Sequence, residues 1–277
     1  MDKNLLRSQI AAFLAEDIGR GDLTSESIFS ADQTGSARLV AREEFVVAGL
    51  PVAQEVFSLQ NSHIDCSEAV AEGARVAAGE VLLAVAGPVV DLLKAERVAL
   101  NLLQRMCGIA TLTSRFVEVV KGLPVRITDT RKTTPGLRMM EKYAVQVGGG
   151  SNHRFNLTDG VLIKDNHIAA CGSITEAVKR VREQAPHTIK IEVETDTLAQ
   201  VDECLACGAD IIMLDNMSPE MMAEAVDTIK GRALVEASGG VNLETVRAIA
   251  ESGVDIISVG ALTHSAPSCD IGMDWLN

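Results

Sequence analysis

Ile189-Lys-Ile-Glu-Val193, Ile211-Ile-Met-Leu214, Ala233-Leu-Val-Glu236 and Ile256-Ile-Ser-Val259 are short apolar runs whose starts lie 22, 22 and 23 residues apart. Between them the apolar spacing predicts helices over Leu198–Cys207, Pro219–Lys230 and Leu243–Ser252. Gly208 and Gly253 stand where two of these helices should end, as residues that accept a left-handed backbone. Short buried strands joined by single helices are βα units, and repeated βα units build a parallel sheet. Upstream, Arg126–Asp129 and Val161–Ile163 read as earlier strands, and Ile174–Gln184 as a further helix. The fold class is α/β. A closed or nearly closed α/β barrel is the economical arrangement. An open doubly wound sheet remains as the alternative, because periodicity does not report closure.

Residues 1–107 lack this beat. Asn4–Glu16 predicts an amphipathic helix, and Gly35–Gly49 and Gly73–Gly87 read as strands with turn glycines. Leu92–Met106 is a long helical pattern expected to break at Gly108, before another helix over Ile109–Val120. This is α+β material, an N-terminal layer with its boundary near Gly108.

Composition narrows the function. The chain has 277 residues, 47% of them hydrophobic and only 3% aromatic, with a net charge of -13. An acidic chain with few rings to stack on bases is a poor nucleic-acid binder. No apolar run is long enough to span a bilayer. The opening Met1-Asp2-Lys3-Asn4 lacks the pattern of a signal peptide, so the expectation is a cytoplasmic protein. Cys204-Leu-Ala-Cys207 is a lone CxxC on a helical pattern and reads as buried structural thiols rather than a zinc or redox site.

Against the prevailing charge, residues 126–164 carry seven cations (Arg126, Arg131, Lys132, Arg138, Lys142, Arg154, Lys164) and three carboxylates (Asp129, Glu141, Asp159). Cations gathered in an acidic chain point to a small anionic ligand. In a barrel the C-terminal strand ends carry the active site. Here those ends deliver Thr130-Arg131-Lys132, Lys164, Glu194, Asp215-Asn216, Ser238-Gly239-Gly240 and Gly260-Ala261. The two glycine turns suit a phosphate, because glycine lets backbone N–H groups approach an anion. Glu194 and Asp215 could hold Mg²⁺, stabilise a developing positive charge, or balance the cations around them. His167 and His264 read as structural histidines.

Several long motifs are similar to those of one family. They are Thr130-Arg-Lys-Thr-Thr-Pro-Gly-Leu-Arg138, Glu141-Lys-Tyr-Ala-Val145, Gly148-Gly-Gly150, Asn152-His-Arg154 and Leu162-Ile-Lys-Asp-Asn-His167. Glu16–Thr24, Ala95–Leu103, Leu214–Asn216, Glu236–Gly240 and Val259–His264 extend the match over nearly the whole chain. Together they resemble the quinolinate phosphoribosyltransferases. The resemblance implies an N-terminal α/β sandwich-like domain (1–107), an incomplete α/β barrel (108–265) and a C-terminal return to the first domain (266–277). It also implies transfer of the phosphoribosyl group of 5-phosphoribosyl-1-pyrophosphate to quinolinate. The products would be nicotinate mononucleotide, CO₂ and pyrophosphate, in de novo NAD synthesis, with Mg²⁺ as cofactor.

Carried over residue by residue, the resemblance makes Arg131, His153, Arg154 and Lys164 binders of the quinolinate carboxylates, with Arg138 in the same signature. Lys132 would meet the pyrophosphate, and Glu194 and Asp215 would serve the ribose and the metal. Ser238, Gly239, Gly240, Gly260 and Ala261 would cradle the 5-phosphate. Arg97 would reach into a neighbouring subunit's site, in a homodimer or larger assembly with shared sites. Three rivals are a Schiff-base lyase built on Lys164, a related molybdenum-transport-associated branch, and a non-enzymatic phosphate-metabolite sensor.

Overall fold

The computed structural model describes residues 1–276, with Glu68 described by its backbone alone. In chain order the elements open with α1 (Lys3–Ile18), α2 (Leu23–Ile28), β1 (Thr34–Ala41), β2 (Phe45–Val46), α3 (Leu50–Gln60) and β3 (Asp65–Glu68). There follow β4 (Arg75–Val76), β5 (Val81–Pro88), α4 (Val89–Val119), β6 (Arg126–Thr128), α5 (Arg138–Val147) and β7 (Val161–Ile163). Next come α6 (Asp165–Cys171), α7 (Ile174–Gln184), β8 (Ile191–Thr195), α8 (Leu198–Cys207), β9 (Ile211–Asp215) and α9 (Pro219–Ile229). The chain closes with β10 (Leu234–Ser238), α10 (Val246–Glu251), β11 (Ile256–Ser258), α11 (Ala261–His264) and β12 (Ile271–Trp275). Two compact units divide these elements. One holds Met1–Ser114, Thr134–Gly149 and Ser265–Asn277; the other holds Arg115–Thr133 and Gly150–His264. Among the described residues no helix is long and apolar enough to cross a membrane.

The first unit is built on an antiparallel sheet in the order β12-β1-β5-β3. The chain end returns to it, pairing Ile271 with Ala41 and Trp275 with Ala37. Gly35 is needed under that return, since a Cβ there would lie 2.8 Å from the Trp275 ring. The expected break at Gly108 is corrected: α4 runs through it without interruption. Its glycine serves close packing instead. A Cβ at 108 would fall 1.8 Å from the carbonyl oxygen of Pro267, so only a bare Cα lets that segment lie against the helix.

In the second unit six parallel strands run in the order β6-β11-β10-β9-β8-β7. Every strand from β7 to β11 lies beside its sequence neighbour, and the first strand, β6, lies beside the last. Successive crossovers therefore step in one direction, and right-handed crossovers of that kind put their helices on one face. A doubly wound sheet would reverse its order midway. This order is that of a barrel opened at the β6/β7 seam. Local signals place the helices: Thr197 and Gln200 form a reciprocal cap on α8, and Gly208 ends it at φ 74°. The thiols of the CxxC are free, and burial pushes Cys204 up to about 12, as fits a structural residue.

Two element boundaries move in ways that matter. β8 starts at Ile191 rather than Ile189, because Ile189 N–H closes a turn onto the Pro186 carbonyl. Glu194 therefore lies within the strand, on the same face as Glu192. α10 starts at Val246 rather than Leu243, since Asn242 Oδ1 accepts the N–H groups of Glu244 and Thr245 and holds them in a turn.

Candidate active site

Parallel strands put all their C-terminal ends on one rim, and sheet order fixes which ends are neighbours. Ser238 pairs with Asp215, Thr195 with Leu214, and Ser258 with Thr128. Read around the rim, Arg131 and Lys132 stand beside Gly260, then the Ser238–Gly240 turn, Asp215, Glu194 and Lys164.

The acidic side of this rim is tightly wired. Lys164 Nζ lies 2.6 Å from Glu194 Oε2, with the lysine 43% and the glutamate 14% exposed. Burial raises the Asp215 pKa, and the nearby Glu194 and Asp196 carboxylates raise it further. A carboxylate whose charge is disfavoured by burial and by neighbouring acids is a fit for a hard cation with oxygen ligands. Asn216, in the left-handed region at φ 55°, donates its amide to Asp215 Oδ2 at 2.7 Å. The same amide fills the space over Gly239, where a Cβ would lie 2.2 Å from Asn216 Oδ1. Gly239 and Gly240 both have positive φ, 86° and 60°. Consecutive glycines of this kind leave the turn open to an anion's close approach. Beside them a Cβ on Gly260 would meet the Lys132 side chain at 3.1 Å, and Thr263 Oγ1 donates to the Lys132 carbonyl at 2.8 Å. Lys132 is thereby anchored next to the second glycine turn, where Ala261 opens α11.

The basic side lies at the seam. Ser151 exchanges hydrogen bonds with the backbone of Ile127 and Asp129, which brings the 150–154 segment back alongside β6. Arg154 donates to the Gly160 carbonyl at 3.0 Å, and burial together with neighbouring Arg131 lowers its pKa. Two guanidinium groups that feel each other's charge suit an anion between them. His153 turns inward instead. Its Nε2 lies 3.2 Å from Glu192 Oε2 and 3.5 Å from Glu236 Oε1, and its Nδ1 accepts the N–H of Arg154 at 2.8 Å.

Of these groups, Ser151, His153, Arg154 and Gly160 line a cavity of about 330 Å³ together with Glu192, Glu236 and the strand-start residues Arg126, Val161, Ile211 and Ile256. Burial works against charge on His153, but its interactions with Glu192 and Glu236 outweigh it and lift its pKa to about 10. Burial also raises Glu192. With Nδ1 occupied as an acceptor, the extra proton belongs to the imidazole–carboxylate cluster as a whole.

A consequence follows for stability. The cluster binds its proton more tightly folded than unfolded, where histidine titrates near 6.5. The stabilisation is full below that pH and is lost as pH rises through about 10. Melting midpoints should therefore decline across this window, and a flat profile would contradict the assignment.

The other expected residues are distributed as follows. Arg131, Lys132, His153, Arg154, Lys164, Glu194, Asp215, Ser238, Gly239, Gly240, Gly260 and Ala261 all belong to the second unit. Arg97, exposed on α4, and Arg138, at the start of α5, belong to the first. His167 has a local task, accepting the Lys164 N–H on Nδ1 at 2.9 Å. Lys164 is engaged as a cation by Glu194, whereas a Schiff-base lysine acts as a neutral amine. Sequence reading missed Glu192, Glu236 and Asp129 as site-building residues. Counting back by two from Glu194 and Ser238 exposes the first pair, acids on the inner face of otherwise apolar strands.

Comparison with known proteins agrees with this geometry. Residues 22–107 match the quinolinate phosphoribosyl transferase N-terminal domain, and residues 109–274 match the C-terminal domain of the same family. A probable nicotinate-nucleotide pyrophosphorylase [carboxylating] from Bacillus subtilis is 48% identical over 269 residues, covering 97% of this chain and 93% of its own. The nicotinate-nucleotide pyrophosphorylase [carboxylating] of Mycobacterium leprae is 44% identical over 276 residues, 97% of this chain and 96% of its own. The crystal structure of NadC from Streptococcus pyogenes superposes with a TM-score of 0.95 at 41% identity, covering 100% of this chain and 99% of that one. With both domain models matched in order and relatives this similar over their full length, the chain belongs to the quinolinate phosphoribosyl transferase family.

Proposed function

We propose that the protein transfers the phosphoribosyl group of 5-phosphoribosyl-1-pyrophosphate to quinolinate, with loss of CO₂, forming nicotinate mononucleotide. The observation that carries this is the rim itself. It sets the cations Arg131, Lys132 and Lys164 beside the acids Glu194 and Asp215 and two glycine turns, a set that supports a dicarboxylate next to a phosphorylated sugar.

Quinolinate is pyridine-2,3-dicarboxylate. Arg131, Arg154 and Lys164 bind its two carboxylates by charge-assisted hydrogen bonds. The Ser238–Gly240 and Gly260–Ala261 turns hold the 5-phosphate, and Lys132 meets the pyrophosphate. Glu194 and Asp215 are the residues fitted to Mg²⁺, directly or through water. When bound, the ion neutralises charge on the departing pyrophosphate. As the bond from ribose C1 to pyrophosphate oxygen breaks, positive charge grows on the sugar, and the same two carboxylates face it. The pyridine nitrogen then donates its lone pair to C1. The resulting pyridinium stabilises the electron pair left on ring carbon 2 as the bond to the adjacent carboxylate breaks and CO₂ leaves, and that carbon then takes up a proton from solvent. No side-chain nucleophile enters these steps; placement and electrostatics carry them.

We assign Arg97 to the site of a neighbouring subunit in a homodimer or larger assembly, supported by its exposure on α4. We place the protein in the cytoplasm, supported by six cysteines that form no disulfide among the described residues. Purified protein supplied with both substrates and Mg²⁺ should form nicotinate mononucleotide, and neither substrate alone should yield it. No mononucleotide with both present would overturn the reading.

A further inference from the structure

Two glutamates that the proposed chemistry does not use stand inside the barrel. Glu192 and Glu236 are 3% and 2% exposed, two positions before Glu194 and Ser238 on their strands. The middle of a parallel barrel is ordinarily packed with branched apolar side chains. A buried carboxylate is costly there unless it is paired. Their partner is the ring of His153, at 3.2 and 3.5 Å. Glu192 Oε1 and Glu236 Oε1 have no hydrogen-bond partner, nor has Thr128 Oγ1 on the same cavity wall, so the 3.5 Å approach of the ring to Glu236 is an ion-pair contact. Such an arrangement is expensive for stability alone, and the ring it holds is one residue from Arg154.

His153 is tethered at three points. Its main-chain N–H donates to Asp129 Oδ1 at 2.9 Å. Its Nδ1 accepts the Arg154 N–H, and its Nε2 faces the two carboxylates. The tether on Nδ1 decides between two uses of the cluster. One imidazole nitrogen and two carboxylate oxygens within 4.8 Å have the spacing of a metal site. Yet a ring that accepts an N–H on Nδ1 carries its own proton on Nε2, and a metal on Nε2 would require an imidazolate. The ring is set to donate toward the glutamates, and that donation fixes its plane. The plane in turn fixes the Arg154 N–H, and with it the start of the Arg154 side chain.

We propose that Glu192 and Glu236 are positioning residues: through His153 they hold the 152–154 backbone so that the Arg154 guanidinium meets the quinolinate carboxylate. The inference rests on the proposed substrate.

Glu192→Met and Glu236→Met test it, since each removes the acceptor while filling the space with an unbranched apolar chain. Glu192→Gln and Glu236→Gln keep a carbonyl acceptor for Nε2–H. Each methionine variant should raise the KM for quinolinate at least ten-fold while the KM for 5-phosphoribosyl-1-pyrophosphate stays within two-fold. The glutamine variants should restore quinolinate KM to within about three-fold of wild type. Hydrogen exchange of a peptide covering 151–156, measured without substrates, should speed up in the methionine variants and return in the glutamine variants. Methionine variants with unchanged quinolinate KM and unchanged exchange would overturn the proposal. So would an equal rise in both KM values, the mark of a general loss of structure. If the wild type does not bind quinolinate, the substrate reading fails, and the exchange measurement alone decides whether the glutamates position the segment.

Discussion

Replacing Lys164 by alanine should lower kcat/KM for quinolinate by roughly 30- to 900-fold, equivalent to about 2–4 kcal/mol of transition-state stabilisation. The lysine has two tasks at one place. Its ammonium is assigned to a quinolinate carboxylate, and it neutralises Glu194 at 2.6 Å. Without it the pocket loses a cation and exposes the incoming dianion to an uncompensated carboxylate, so binding and turnover fall together. Folding should be little affected, because a 43% exposed lysine in an ion pair contributes at most about 1 kcal/mol. Steady-state kinetics beside a thermal melt separate the two effects. Arg154→Ala should act in the same direction, with the greater share in quinolinate KM. Wild-type turnover in both variants would remove these residues from the site.

Gly108→Ala should strike stability rather than chemistry. Alanine is the better helix former by about 1 kcal/mol, so in an exposed helix the change would stabilise. Here the new methyl would lie 1.8 Å from the Pro267 carbonyl oxygen and 2.9 Å from its carbon, both backbone atoms with no rotamer to yield. Relief requires moving the segment that leads into β12 and its pairing with β1. We expect a net loss of about 3 kcal/mol or more, at the upper end of overpacking effects. That corresponds to roughly 6–12 °C in melting midpoint for a chain of this size. A midpoint at or above the wild-type value would show that the segment gives way freely.

Gly108 also shows where sequence reading reaches its limit. A glycine inside a helical pattern reads as a break, and only the neighbouring backbone reveals it as a packing device. The repeat of β8 to β11, by contrast, was plain in the sequence, because spacing and buried apolar runs are local properties. The rim followed from it, since parallel strands must end together. His153 was legible as a motif member, but its direction was not. Which way the ring turns depends on Glu192 and Glu236, roughly 40 and 80 residues away, and on Asp129 before it. The partition of Arg138 into the first unit is likewise a property of packing, invisible to periodicity.

The central claim is that this rim grips a pyridine dicarboxylate beside a phosphorylated sugar and joins them with loss of one carboxylate. Its most direct test is a single incubation with quinolinate labelled in the 2-carboxylate, 5-phosphoribosyl-1-pyrophosphate and Mg²⁺. The account predicts labelled CO₂ and unlabelled nicotinate mononucleotide in equal amounts. Mononucleotide that retains the label, or neither product, would contradict it.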